Sequence, residues 1–478
     1  MPIFVSSSKV YLPDLEALEK IFAAFSDAAW GMPLLILLMG GGFYFMLYSG
    51  FLPFRYLGHA INVLRGKYDD PNDPGDINHF EALSSALAAT VGMGNISGVA
   101  VAIAVGGPGV LFWMWVSAFV GMATKFFTCT LAVMYRGRDS RGHLEGGPMY
   151  VIVEGLGKKW KPLAVFFSIA GLFGTLPIFQ ANQVTQVVRE VLLMPNGIVI
   201  DNDRSMLYWN LGIGITLVMI VSLVIFGGIK RIGHVAAKMV PGMVVLYMLA
   251  VFYIMAMNYA SIPAAFSLIF EDAFSANAML GGAVGAIIIA GARRAAFSNE
   301  AGIGTADMMH GAAKTDEPIR EGLVAMMGPF IDTIVVCTLT ALAIILTGTW
   351  QTSGASGVTM TATAFNNAMP GFGSYVLVVC VMIFAFTSLF SYSYYGTKCF
   401  SFLFGAKYKH LYNYFYVLTI IFGAVVSITA VINLIDGLYA MMAIPTMVSG
   451  LLLSPKVMAA AKDYFVRMKA FREEKVKV

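Results

Sequence analysis

Charge is scarce in this chain of 478 residues: Asp, Glu, Lys and Arg together make up 12% of it. A soluble chain carries about a quarter, so an ordinary water-exposed globular surface is excluded. Cysteine is scarcer still. The four cysteines, Cys129, Cys337, Cys380 and Cys399, fall in or beside apolar stretches without a CxxC pair, which argues against disulfides and zinc. Six histidines, at 59, 79, 143, 234, 310 and 410, lie in or near polar connections and show no ligand spacing, so they are expected to be solvated. The chain has no phosphate loop, nucleophile triad or metal-ligand set, so neither an enzyme nor a resident cofactor is expected. The net charge of +4 gives no case for nucleic acid. No cleavable signal peptide is apparent.

What the chain has is apolar length. It is 58% hydrophobic, with a mean hydropathy of +0.75, which is the composition of a polytopic all-α membrane protein. Apolar stretches of spanning length fall at roughly 30–52, 82–105, 108–135, 162–186, 207–228, 233–258, 278–304, 321–347, 374–404, 410–431 and 434–455. Before the first of them, Leu12 to Trp30 reads as an amphipathic helix with Leu15, Leu18, Ile21 and Phe22 on one face. Lysine and arginine fix an expected orientation. They crowd the connections after spans 1, 3, 5, 7 and 9 and the C-terminal tail, whereas the 259–277 and 348–373 connections have none. Eleven spans with the N-terminus outside and the C-terminus cytoplasmic fit this asymmetry.

Two spans are soft in the middle. Thr90-Val-Gly-Met-Gly-Asn-Ile-Ser-Gly98 lies in span 2 and Phe297-Ser-Asn-Glu-Ala-Gly-Ile-Gly304 in span 7. Each has a Gly-x-Gly and polar residues at membrane depth. Gly94 to Gly98 also forms a GxxxG, so tight helix packing is the competing reading for one segment. Two matched segments, five spans apart, point instead to inverted repeats with broken helices at a binding site. If span 1 is peripheral, the repeats run over 82–258 and 278–455. They are flanked by an extracytoplasmic amphipathic segment (1–29), the peripheral span (30–52) and a basic cytoplasmic tail (456–478). A break frees backbone groups that something other than lipid must satisfy. Carbonyls ending the first half, from Ala88 to Val91, can face a cation. Amides opening the second half, around Met93, Gly94 and Asn95, suit a carboxylate.

Longer motifs carry a resemblance. Gly106-Gly-Pro-Gly-Val-Leu-Phe-Trp-Met-Trp-Val-Ser-Ala-Phe-Val-Gly-Met-Ala-Thr124 resembles the signature of the sodium:alanine (alanine or glycine:cation) symporter family. Gly146-Gly-Pro-Met-Tyr150, Gln180-Ala-Asn182, Phe297-Ser-Asn-Glu-Ala-Gly302, Phe330-Ile-Asp-Thr333 and Ser393-Tyr-Tyr-Gly396 do so too. The resemblance covers nearly the whole chain. It implies a LeuT-like fold of ten core helices and sodium-driven uptake of a small neutral amino acid, such as alanine or glycine, in a prokaryotic plasma membrane. Val91-Gly-Met-Gly-Asn95 is similar to the corresponding turn of neurotransmitter-type sodium symporters. That likeness implies that the Met93 and Gly94 amides hold the substrate carboxylate. It also implies that sodium is faced by the carbonyls of Ala88, Thr90 and Val91 and the amide oxygen of Asn95. In the second break it implies an aromatic gate at Phe297, a sodium-ligating hydroxyl at Ser298 and substrate contact around Gly302 and Gly304. Thr387 and Ser388 resemble a pair that completes a second sodium site; bonding to the preceding turn is the alternative.

Tyr392, after Ser391, stands where members usually read Gly-Trp, and Gln183 stands where a serine is usual. The first change removes volume and adds a hydroxyl, which admits a substrate larger or more polar than alanine. Gln180 and Tyr392 are expected to contact substrate, with a structural interhelical amide equally open for Gln180. Lys125, Lys238, Arg293, Arg294, Glu300 and Asp332 are charges in or near spans, and such groups are usually functional or paired. Gating or structural roles are expected for Glu300 and Asp332, the latter capping a kink beside Pro329. Arg293 and Arg294 are expected near the cytoplasmic side. Sodium and membrane lipid are the expected partners beside the amino acid. Proton coupling is the alternative within transport, and a substrate-gated channel or sensor the alternative outside it.

Overall fold

The computed structural model describes residues 13–200, 202–274, 283–351 and 357–477. The chain is almost entirely helical. Helix α1 (Pro13–Ala29) precedes α2 (Met32–Tyr48), and the two meet at a 50° bend. The first soft segment is a broken helix, α3 (His79–Thr90) followed by α4 (Gly94–Gly106), bent by 48°. After it come α5 (Val110–Met134), α6 (Lys161–Gly174), α7 (Ile178–Val187), α8 (Asp203–Ile225) and α9 (Gly228–Met257). A short helix, α10 (Ile262–Ala273), leads to the second broken helix, α11 (Ala283–Asn299) and α12 (Thr305–His310). The rest is α13 (Pro318–Leu346), α14 (Val358–Ala368), α15 (Gly373–Phe404), α16 (Lys409–Val425) and α17 (Ile428–Lys477). One two-stranded hairpin, Gly137–Arg138 with Leu144–Glu145, follows α5.

Among the described residues, seven helices are long and apolar enough to cross a membrane, or nine if each bent pair counts as one span. Helices α11 and α16, each of 17 residues, take the two remaining places in the expected order. Lipid is as apolar as leucine, so the helices associate by close packing and interhelical hydrogen bonds. The broken helices sit at the centre. Residues 82–90 of α3 are all buried, while α8 and α9 are mostly exposed, with 28% and 33% of their apolar windows covered. A capping box starts α3: Asn78 accepts from the Glu81 amide at 2.8 Å, and Glu81 accepts from the Asn78 amide at 3.1 Å.

The fold differs from expectation at its ends. The expected tail from 456 is not a separate segment, because α17 continues unbroken to Lys477 with Pro445 and Pro455 inside it. Its later turns have a partner to cover. Phe465 stacks on Tyr56 with ring centroids 3.7 Å apart, and Tyr464 bonds His59 Nε2 at 2.6 Å. The N-terminal helix spans Pro13–Ala29, close to expectation, and packs on the start of α17. The start of the expected second repeat, at 278, lies outside the described residues. Short helices in the connections, α10 and α14, were not expected.

Candidate functional site

The two breaks meet at one polar node. Val91 leaves helical torsions and ends α3, and a helix end leaves its last carbonyls without intrahelical partners. Ala88, Thr90 and Val91 are all buried there. The Asn95 side chain then works in two directions. Its oxygen accepts the Gly92 amide at 2.8 Å. Its Nδ2 donates to Ser298 Oγ at 3.0 Å and to Asp332 Oδ2 at 2.9 Å. Ser298 donates to Asp332 Oδ1 at 2.6 Å, and Thr333 to the same oxygen at 2.8 Å. Asn299 joins the second break to Thr333 at 2.9 Å. Asn95, Ser298 and Asp332 are at most 1% exposed. Asp332 therefore does more than cap the kink expected of it. The π-helical stretch Phe330–Cys337 after Pro329 carries its carboxylate into the node between the breaks.

Phe297 packs beside the node. Its ring meets Phe179 edge to face, with centroids 5.0 Å apart, and lies 5.9 Å from Tyr439. A Cβ on Gly94 would stand 3.4 Å from the Phe297 ring, an ordinary contact distance, so the ring packs against this turn. Met93 is fully buried at the same turn. Gln180, next to Phe179, is 4% exposed, and its amide oxygen has no hydrogen-bond partner among the described residues. A bare buried acceptor is costly, and a donor on a bound molecule would satisfy it. Its neighbour Gln183, the departure from serine, accepts from Ser97 at 2.5 Å and so ties α7 to the turns after the first break.

Tyr392 is committed elsewhere. It donates to Glu300 Oε1 at 2.6 Å, as does Tyr439 at 3.1 Å, and Thr305 donates to the other oxygen. Three hydroxyls from α15, α17 and α12 thus hold the carboxylate of a residue with φ of 55°, a torsion that a non-glycine keeps only when its surroundings impose it. Gly302 and Gly304 have φ of 82° and 98°. Cβ atoms on them would run into Leu38 and Met447, and into Thr446 and Pro148. The geometry assigns these two glycines to the turn. Lys125 is buried on α5.

Thr387 and Ser388 divide. Ser388 donates to Ala89 O of α3 at 3.1 Å and to Phe384 O at 3.1 Å. Thr387 bonds Phe384 O at 2.9 Å and the thioether of Met243 at 3.6 Å. Only Ser388 is tied to the first break.

Arg293 and Arg294, expected near the cytoplasmic side, lie against α1 and the start of α17. Both donate to Asp436 Oδ2 at the start of α17, Arg293 from Nε at 2.8 Å. Arg293 also reaches Ser26 and lies 3.6 Å from Asp27 of α1, while Trp30 donates to Asp436 O at 2.8 Å. Arg294 covers the Phe297 ring at 5.0 Å.

Three of the histidines expected to be solvated are buried: His59, His79 and His310. His79 at the start of α3 and His310 at the end of α12 each hold one oxygen of Glu321, which opens α13. No spacing pattern revealed this, because Glu321 lies 242 residues from His79.

Comparison with known proteins agrees with this architecture. The family model described as the sodium:alanine symporter family matches residues 15–478. The chain is 40% identical to the sodium/alanine symporter AgcS of Methanococcus maripaludis over 448 residues, covering 91% of this chain and 94% of that one. It is 39% identical to an uncharacterized transporter of Haemophilus influenzae, covering 95% and 97%. It is 33% identical to the probable sodium/glutamine symporter GlnT of Bacillus subtilis, covering 96% and 93%. Among solved structures, MhsT in complex with L-phenylalanine aligns with a TM-score of 0.56 at 12% identity, over 81% of this chain and 98% of that one, a likeness of fold. The fold is the LeuT-like one, the chain is a membrane transporter and not an enzyme, and it belongs to the sodium:alanine symporter family.

Proposed function

We propose that this protein is a sodium-coupled symporter that imports a small neutral amino acid by alternating access. One observation carries the reading: the Asn95 amide nitrogen joins the two breaks to a single buried cluster whose hard oxygens are the Ser298 hydroxyl and the Asp332 carboxylate. Hard oxygens are what an alkali cation takes as ligands. Asp332 supplies the carboxylate of the set, and the carbonyls of Ala88, Thr90 and Val91, at the buried end of α3, are the further ligands of this reading. Ser388, with Thr387 next to it, borders a second cation position at Ala89. The amides of Met93 and Gly94 hold the substrate carboxylate, Phe297 closes over it, and Gln180 accepts from its ammonium or side chain. The family supports alanine or glycine as substrate, and the glutamine-named relative keeps a polar side chain in consideration. The family supports a plasma-membrane location, and the asymmetry of lysine and arginine supports an N-terminus outside.

Proton coupling is the second reading, favoured by the two buried carboxylates at the breaks, Glu300 and Asp332. Uptake of labelled alanine, glycine and glutamine into proteoliposomes under imposed sodium, potassium or proton gradients separates the two. Concentrative uptake that follows sodium is expected. Uptake driven by protons alone would transfer the coupling role to the carboxylates.

A further inference from the structure

The halves of the broken helices on the basic face, α3 and α12, are sewn together by contacts outside the transport site. The chain entering α3 lies along the chain leaving α12 as a parallel bridge between Ile77 and Ala313. Asp76 donates to Ala312 O at 2.9 Å, Lys314 to Ile77 O at 2.6 Å and Thr315 to Pro74 O at 3.2 Å. Gly75, with φ of 140°, makes this approach possible, since a Cβ there would collide with the Ala313 backbone.

Arg136, just after α5, staples the seam from one side. Its guanidinium donates to Gly311 O at 2.8 Å, Thr315 O at 3.1 Å and Pro74 O at 3.2 Å, and also to Ala313 O. One planar fork thus satisfies carbonyls of both segments, a geometry lysine cannot reproduce. Burial lowers its hold on the proton, and Glu321 and Asp316 nearby oppose this. From the other side, Glu321 clamps His79 of α3 to His310 of α12.

We infer that Arg136, His79, His310 and Glu321 are positioning residues that make α3 and α12 a single moving body, so that the basic face opens by displacing both halves together and not by release of α3 alone. A lone swing of α3 would strand several buried backbone groups and a buried carboxylate, each costly to leave unpaired. The joined body instead slides against its neighbours, among them α9, where Ser85 Oγ lies 3.5 Å from the position of a Cβ on Gly233.

The inference rests on the alternating-access reading, and two disulfide pairs test it in the full-length transporter in proteoliposomes. Ile77→Cys with Ala313→Cys ties the two halves; Pro74→Cys with Thr315→Cys serves on the same seam if the first pair does not reach the membrane. Ser85→Cys with Gly233→Cys ties α3 to α9. Cross-linking is quantified by mass spectrometry and reversed with reductant. The seam cross-link is expected to leave amino-acid uptake within about twofold of the reduced protein, and the α3–α9 cross-link to abolish it reversibly. Loss of uptake on cross-linking the seam, restored by reductant, would overturn the inference, as would full uptake with α3 tied to α9. A reduced protein that is correctly inserted yet inert would instead count against the transport reading itself.

Discussion

Replacing Asp332 by Asn keeps the shape of the node and removes its charge. The carboxylate accepts from Asn95, Ser298 and Thr333 at 2.6–2.9 Å, so a cation sharing this cluster would stand about 3 Å away or closer. At an effective dielectric of about 20, a unit charge at that distance contributes roughly 5 kcal/mol before desolvation is subtracted. Desolvation takes back a large share, which leaves about 2–3 kcal/mol, or a rise in sodium half-saturation of roughly 30- to 150-fold. The assay is initial-rate uptake against sodium concentration in proteoliposomes, normalised to inserted protein. Asp332→Glu retains the charge and shifts half-saturation far less. An unchanged sodium dependence in Asp332→Asn, with uptake intact, would refute the placement of the carboxylate at the cation.

Ser388→Ala removes a hydroxyl that reaches Ala89 of α3, whereas Thr387→Ala removes one bonded within α15 and to Met243. The first is expected to raise sodium half-saturation several-fold more than the second, and equal effects would contradict the division. Tyr392→Phe deletes one of three hydroxyls holding Glu300, at a cost of about 1.5–3 kcal/mol for a bond to a charged group. A lower thermal unfolding midpoint with an unchanged substrate ranking is expected; altered ranking at unchanged stability would return Tyr392 to the substrate pocket. Asp436→Asn leaves Arg293 and Arg294 without their shared anion and is expected to destabilise by on the order of 3 kcal/mol. Thermal unfolding checks this, and Arg293→Gln in the same background should recover part of the loss if charge is the cause.

The spans and both breaks were legible in the sequence because each is a local signal. Apolar length gives the helix, and Gly-x-Gly with polar neighbours gives the interruption. Asn95 and Ser298 could be placed from their positions in those breaks. Asp332 and Glu300 were visible as charges at membrane depth, but their roles depend on partners far along the chain: Asn95 is 237 residues from Asp332, and Tyr392 is 92 from Glu300. The 242 residues between His79 and Glu321 likewise hid the clamp with His310, since the histidines read as solvated groups of polar connections. Nothing local marks Asp436 as the partner of Arg293 and Arg294, since it lies more than 140 residues further on. Tyr392 stood out as a departure from its family, and only the fold shows that its hydroxyl is already engaged. The continuation of α17 beyond 455 was missed because its charged surface suggests a tail, while the packing of Phe465 on Tyr56 keeps it helical.

In the proposed mechanism one buried cluster couples a cation to an amino acid. Tracer sodium influx into proteoliposomes, driven only by an imposed inward gradient of unlabelled alanine, glycine or glutamine, tests it most directly. Sodium accumulation that requires the amino acid, and is abolished in Asp332→Asn at the same sodium concentration, is expected. Amino-acid influx with no accompanying sodium would contradict it.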